Sequence, residues 1–203
     1  EMPVFLNNKN NVLYIKKDSL IKFSPDSLSV MEFQSQKQVD VMERIFEGNQ
    51  GLGVKKPTSW NVQFTREINN TNDREMLNQI GDGAPLHEGK MIHQYDFYYG
   101  EPQYWIDVKA ARKKLLRKTS GARIDADFYR TANRRQARST DIRTMIACII
   151  PPGTFCWDNL AVSVILDQEG KRLLDDNHVC YLVAIMNSFI FDYVLRLQIG
   201  SNL

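Results

Sequence analysis

Apolar residues recur at helical spacing near the C-terminal end of the sequence, and this pattern constrains the fold more than any other. They lie three and four positions apart, at Val179, Leu182, Val183, Met186, Phe189, Ile190, Tyr193, Val194 and Leu197. Positions with this spacing share one face of a helix, which predicts a long amphipathic helix over 179–197. Asn177 can cap its start and Gly200 can end it. Such a stripe is more often buried in a core than left for a partner.

Shorter segments of strand character accompany this helix. Alternation or apolar runs mark 12–14, 20–23, 60–68, 91–99, 104–108, 128–131, 144–150 and 160–166. The run at 144–150 is apolar enough to be a buried central strand, and helical spacing recurs at 39–46 and 108–116. We therefore predict an α+β fold: a mixed, mainly antiparallel sheet with flanking helices and a long C-terminal amphipathic helix. The 203 residues suit a single domain, 1–203, with a possible small N-terminal subregion at 1–58.

Basic residues are concentrated in one part of a nearly neutral chain. Between Lys109 and Arg143 there are twelve basic and three acidic residues, a local charge of +9; the rest carries fourteen against twenty-one, or −7. A single positive region on an otherwise acidic domain favours a polyanion, because each Lys or Arg at a phosphate releases condensed counterions. Arginine dominates the second half of the region and can bind phosphate or guanine through two parallel hydrogen bonds. A solvated basic face is the alternative interpretation.

Composition argues against several other classes of protein. No run approaches the roughly 18 apolar residues of a membrane span, and residues 1–10 lack the charge pattern of a secretion signal. We expect a cytoplasmic protein without a membrane partner. Cys148, Cys156 and Cys180 are odd in number and lack CxxC spacing, which predicts buried, reduced thiols rather than disulfides or a metal site.

Catalytic signatures are missing from the sequence. There is no glycine-rich phosphate loop, no GxSxG and no HExxH, so we predict no catalytic residue, metal ligand or cofactor in the chain itself. One arrangement favours a different function. Asp82, Glu88 and Lys90 supply the two carboxylates and the lysine with which many metal-dependent nucleases bind a cation and position water. A metal-dependent nuclease therefore stays open as an alternative.

Two segments combine hydrogen-bonding side chains with aromatic rings. Residues 65–73, TREINNTND, form either a polar turn or a loop whose amides reach base edges. Residues 85–96, PLHEGKMIHQYD, continue into three further aromatic residues at 97–99. Polar groups beside flat rings suit nucleic acid, although strand alternation would turn about half of these side chains into the core.

Five segments, taken together, resemble the target-recognition region of adenine-specific DNA methylases. In chain order they are FSPDSLS (23–29), WNVQFTREINNTND (60–73), PLHEGKMIHQYD (85–96), ARSTDIRTMIACIIPPGTFC (137–156) and YLVAIMNSFIFDYVLRLQIGSN (181–202). The resemblance extends over most of the chain. It is closest to bifunctional type IIG restriction-modification proteins and to the methylases of phage-exclusion systems, whose specificity domain is similar to the TaqI-like one.

This resemblance implies a domain that reads a duplex sequence while a separate catalytic domain of the same parent chain methylates a flipped adenine at N6. The partners implied are double-stranded DNA and that catalytic domain, which binds S-adenosylmethionine. Its NPPY-type motif and cofactor loop have no match here, since Pro151 and Pro152 follow Ile150. The chain is thus expected to be a non-catalytic fragment of a methyltransferase, and whether the parent also cleaves DNA stays open.

We predict two sets of DNA contacts. Base contacts are expected at Lys90, His93, Gln94, Arg138, Ser139, Thr140 and Arg143. Phosphate contacts are expected at Lys113, Lys114, Arg117, Lys118, Arg134 and Arg135. Six phosphate contacts would give the logarithm of affinity a slope of about −5 against the logarithm of salt concentration. A third possible function is a protein–protein docking module that uses the helix at 179–197.

Overall fold

Two four-stranded sheets form the centre of the protein in the computed structural model, which describes residues 12–25, 28–49, 51–54, 56, 59–69, 71–116, 122–137 and 141–199. The first sheet is antiparallel, with the order β1 (Phe64–Thr65), β8 (Leu160–Ser163), β5 (Arg130–Arg134) and β6 (Ala147–Ile150). The second has the order β2 (Leu77–Asn78), β4 (Trp105–Ile106), β3 (Ala84–His87) and β7 (Phe155–Cys156). Only its β3–β7 pair is parallel.

Five α-helices lie within the described residues: α1 (Lys17–Phe23), α2 (Gln36–Phe46), α3 (Val108–Leu116), α4 (Asp176–Met186) and α5 (Phe189–Ile199). The predicted α+β class is confirmed, and so are the helices expected at 39–46 and 108–116. The segment at 20–23, expected to be a strand, belongs to α1. Ser19 and Phe23 are buried four positions apart, a helical spacing that such a short run does not distinguish from a strand.

Successive side chains of a strand point to opposite faces of its sheet, so each sheet packs against a different neighbour on each face. In and beside β6, Ile146, Cys148 and Ile150 pack with Cys156 of β7, while Ala147 packs on α4. In the second sheet, Leu86, Ile106 and Phe155 contact Ala111 and Leu115 of α3. The buried layers therefore run from α3 through the second sheet and the first sheet to α4. A separate cluster joins α1, α2 and α5 through Phe23, Met42 and Leu197.

The predicted C-terminal helix is present as two helices. α4 and α5 are bent by 62° at Asn187 and Ser188. The Asn187 side chain donates to the Ala147 carbonyl at 2.7 Å and accepts from the Ala147 N–H at 3.1 Å, so it pairs with β6 as a strand would. No single described helix is long and apolar enough to cross a membrane; only the bent pair of α4 and α5 passes that test of length and composition.

Several other strand predictions are wrong: residues 12–14 form no strand, and two more segments differ in their details. Within 144–150 only Ala147–Ile150 form the buried strand β6, and it lies at the edge of its sheet, where the Asn187 side chain bonds both backbone groups of Ala147. Residues 91–99 form a loop rather than a strand, so β4 pairs with β2 and β3 instead. Gly100 closes that loop: a Cβ there would lie 2.9 Å from the Lys90 carbonyl oxygen. Two of the three thiols are buried as expected, whereas Cys180 is exposed.

Candidate nucleic-acid interface

The basic residues of α3 divide into two kinds. Lys109 and Lys113 are exposed, on the side away from the buried Ala111. Arg112 and Lys114 flank the buried stripe and are each paired. Arg112 binds the Asp127 carboxylate at 2.5 and 3.2 Å, and Lys114 binds Asp73. Burial alone would raise the pKa of Asp127, but the hydrogen bonds from Arg112 and the Ile124 backbone outweigh it and lower that pKa.

A series of contacts leads from α3 to the arginine cluster at the end of β5. The Asp73 carboxylate that binds Lys114 also accepts from the Asn69 N–H at 2.5 Å. The Asn69 amide lies 3.5 Å from the Asp158 carboxylate, and the Asp158 carbonyl accepts from Arg135 at 2.6 Å. Asp73 contacts α3 and Asn69 contacts the loop of Asp158, so the segment at 65–73 connects the two basic groups that are separate in the sequence.

The same path continues to Lys90 and Arg134. Arg135 donates its N–H to the Asn159 carbonyl at 3.1 Å, and the Asn159 side chain accepts from the Gly89 N–H at 3.0 Å. A cavity of about 270 Å³ opens here, lined by Glu88, Gly89, Lys90, Arg134, Gln136 and Asn159. Arg134 is half-buried and donates to the Ile92 carbonyl at 2.6 Å, whereas Arg135 and Lys90 are exposed.

Beyond Ile92 the chain makes a tight hairpin. The His93 N–H donates to the Asp96 carbonyl at 2.8 Å, and the Asp96 N–H donates back at 3.1 Å. Tyr95 at its tip has φ of +63° and is 65% exposed. Tyr98 and Tyr99 are exposed next to it, while Phe97 packs into the core against the His87 ring at 4.2 Å. Of the aromatic residues at 95–99 only Phe97 packs into the core, whereas the strand alternation expected from the sequence would have buried about half of them.

Two predicted base contacts are engaged inside the protein. Arg143 is largely buried and donates to the Asn187 carbonyl at 2.5 Å, with its guanidinium 4.7 Å from the centre of the Phe189 ring. Gln94 faces Arg143, and with its amide oxygen on that side it accepts hydrogen bonds at 3.2 and 3.0 Å. Both side chains anchor the hairpin to the break between α4 and α5. His93 is half-buried, with its ring 4.8 Å from that of Tyr99.

The remaining predicted contacts are distributed as follows. Lys113 is exposed next to Lys114, which begins the contact path and binds Asp73. Arg135 and Lys90 are exposed although Arg135 donates to the Asp158 carbonyl and Lys90 lies beside Glu88, and the half-buried Arg134 donates to the Ile92 carbonyl. Arg117, Lys118, Arg138, Ser139 and Thr140 lie outside the described residues.

Arg130 has an internal role that its place in the basic region does not reveal. Its side chain is fully buried, binds Glu67 and donates to the Thr154 carbonyl at 2.5 Å. The second Glu67 oxygen accepts from the Cys156 N–H at 3.0 Å. Glu67 belongs to the segment at 65–73, so this pair holds the base of that segment against β5 and β7. A buried pair of this kind is costly to break, because it leaves one charge unpaired.

The groups of the nuclease alternative are arranged differently from the expected pattern. Asp82 is exposed in the turn before β3, and Glu88 and Lys90 follow β3 rather than lying on a strand. The Lys90 amine lies 3.4 Å from the Glu88 carboxylate. No group of three His, Cys, Asp or Glu residues that could hold a metal ion is found in the described parts of the chain. The docking alternative concerns α4 and α5, which bury Leu182, Met186 and Leu197 and expose Phe189 and Ile190.

Comparison with known proteins adds no relative. No family model, no curated protein and no solved structure matches this chain.

Proposed function

We propose that this chain binds double-stranded DNA as the specificity module of an adenine-N6 DNA methyltransferase. The observation that carries the proposal is the path of contacts from Lys114 through Asp73, Asn69 and Asp158 to Arg135. It supports a common surface for the basic helix and the arginine cluster. The methyltransferase part of the proposal rests on the sequence resemblance, which supplies a catalytic domain with S-adenosylmethionine as the second partner.

The division between paired and exposed cations supports the same proposal. The internal partners Asp127 and Asp73 neutralise Arg112 and Lys114, which hold α3 in place. Lys109 and Lys113 are exposed on α3. Arg135 and Lys90 are also exposed, although Arg135 donates to the Asp158 carbonyl and Lys90 lies 3.4 Å from the Glu88 carboxylate. Cations that are exposed and close to one another lower the free energy of a phosphate backbone beside them, and the gain shrinks as salt is added.

The test measures binding of a fluorescein-labelled duplex of about two helical turns by fluorescence anisotropy over a range of salt concentrations. The double variant Lys113→Gln/Arg135→Gln removes two exposed charges, one next to Lys114 at the start of the path and one at its end. We expect weaker binding and a salt slope reduced by about 2, since each phosphate contact contributes about 1.

A matched double variant, Lys22→Gln/Lys37→Gln, removes two exposed lysines from α1 and α2. Its affinity and salt slope should equal those of the wild type. If the wild type fails to bind the duplex, or if both double variants weaken binding equally, the proposed interface is wrong.

A further inference from the structure

We propose that Tyr95 is a stacking site for a nucleic-acid base that has lost its neighbour in the duplex. The inference deepens the proposed function and rests on it. It starts from the backbone: Tyr95 is at the second central position of a two-residue turn, with φ of +63°. Glycine or asparagine normally occupies such a position, because a Cβ is strained there. A tyrosine at that position costs stability, and strain of this kind concentrates at functional sites.

The hairpin that presents the ring is held from several sides. Two hydrogen bonds join His93 and Asp96, and the Tyr95 N–H donates to the Ala147 carbonyl of β6 at 3.0 Å. Asp96 also accepts from the Tyr98 N–H at 2.8 Å. Below the tip, Gln94 lies against Arg143. With its backbone fixed and its side chain 65% exposed, Tyr95 presents a ring that needs little ordering when it binds.

The surroundings of the ring favour a base over a protein partner. Between residues 90 and 107 the exposed large apolar side chains are all tyrosines: Tyr95, Tyr98, Tyr99 and Tyr104. Each of these side chains offers a flat ring, and every base has a face that can stack on such a ring. Arg134 is bound to the Ile92 carbonyl one residue before the hairpin, and the exposed Lys90 precedes Ile92 by two. Flat rings beside cations are the pattern that binds unstacked bases along a phosphate backbone.

The experiment compares two duplexes of the same sequence, one intact and one with a central abasic site next to a 2-aminopurine. Stacking of a tyrosine ring on the fluorescent base quenches its emission. We expect the wild type to quench this emission and to bind the abasic duplex about tenfold more tightly than the intact one. In Tyr95→Ala the quenching and the preference should disappear while affinity for the intact duplex is kept. Tyr95→Trp should retain both.

Two further variants separate the ring from the fold. Tyr95→Gly removes the ring and relieves the backbone strain, so its melting temperature should not fall, yet its preference for the abasic duplex should be lost. Tyr181→Ala is the matched control, because Tyr181 is 64% exposed on α4, across the first sheet from the cluster into which Phe97 packs. This variant should behave as the wild type.

Each outcome decides between the two proposals. If the wild type binds both duplexes and Tyr95→Ala keeps the preference, stacking is overturned while DNA binding stands. If Tyr95→Gly weakens binding to both duplexes equally, the residue supports the backbone of the interface and stacking is likewise overturned. Failure of the wild type to bind either duplex overturns the proposed function and this inference with it.

Discussion

His87 ends β3 with its side chain buried and its ring stacked on that of Phe97 at an interplanar angle of 10°. Burial lowers the pKa of His87 from 6.5 to about 4 and outweighs a hydrogen bond with the Pro85 backbone, which acts in the opposite direction. Its Nδ1 has no hydrogen-bond partner among the residues that the structure describes. The folded protein therefore holds this histidine as a neutral ring that packs like an aromatic residue.

We predict a loss of stability in mild acid that originates at His87. Between pH 6.5 and about 4 the unfolded chain binds a proton at this residue and the folded chain does not. The contribution of the neutral His87 ring to the free energy of unfolding is fully present above about pH 7. It decreases by about 3 kcal/mol in all as the pH drops through this window. Urea unfolding at several pH values measures this. His87→Phe should lose less stability across the window, and His93→Gln should follow the wild type. Equal losses in His87→Phe and the wild type would contradict the assignment.

At the scale of elements, the break between α4 and α5 shows how a polar side chain interrupts a favourable helical pattern. The apolar spacing runs from Val179 through Leu197 without a gap, which is why it predicts one helix. Asn187 ends α4 because its amide pairs with both backbone groups of Ala147, 40 residues away. Asp192 of α5 then accepts from the Thr144 and Met145 N–H groups, each at 2.8 Å. The helix pair is thereby attached to the edge of the first sheet.

Replacement of Asn187 by alanine is expected to lower the free energy of unfolding by about 2 kcal/mol, because the buried Ala147 N–H loses its partner and the Ala147 carbonyl keeps only its bond from the Tyr95 N–H. Chemical denaturation of the purified chain measures the change. The control is Asn177→Ala, since Asn177 is exposed in the first turn of α4 and its loss should change stability by less than about 0.5 kcal/mol. Equal effects of the two variants would show that the edge pairing is unimportant.

At the scale of the whole molecule, two neighbouring lysines of α3 have opposite surroundings. Lys114 binds the buried Asp73, whose carboxylate also holds Asn69, whereas Lys113 is exposed. Of the predicted phosphate contacts, Lys114, Arg134 and Arg135 already bind protein groups. The positive charge of the region thus divides between cations that hold the loops together and cations that are exposed to solvent.

Single substitutions at these two lysines should separate the two roles. Lys113→Gln should reduce the salt slope of DNA binding by about 0.9 and leave stability within about 0.5 kcal/mol of the wild type. Lys114→Gln should leave Asp73 buried without its partner and lower stability by about 2 kcal/mol, with little change in slope. Anisotropy titrations and urea unfolding of both variants give the comparison. If Lys113→Gln lowered stability and Lys114→Gln reduced the salt slope, the assignment of DNA binding to Lys113 and of structural support to Lys114 would be wrong.

Local patterns predict elements whose signal lies within a few residues. The buried stripes of α2 and α3 repeat every three or four positions, and both helices are found where the sequence predicts them. The segment at 91–99 is different. Its apolar and polar residues alternate like a strand, but no strand within the described residues pairs with it. The two bonds between His93 and Asp96 and the one from the Tyr95 N–H to β6 hold it as a loop. An alternating pattern indicates which side chains can be buried. The segment becomes a strand only when the backbone of a neighbouring strand forms hydrogen bonds with it.

The candidate interface divides in the same way. Composition by itself determined that one region of the chain is strongly positive and that aromatic residues cluster at 95–99. The tertiary structure decided which charges are free, which ring is at the tip of the hairpin, and that β6 is an edge strand. These properties depend on pairs such as Lys114 with Asp73, Glu67 with Arg130 and Asn69 with Asp158, which are 41, 63 and 89 residues apart. Helical periodicity arises between covalent neighbours, whereas burial and ion pairing exist only after distant segments have packed together.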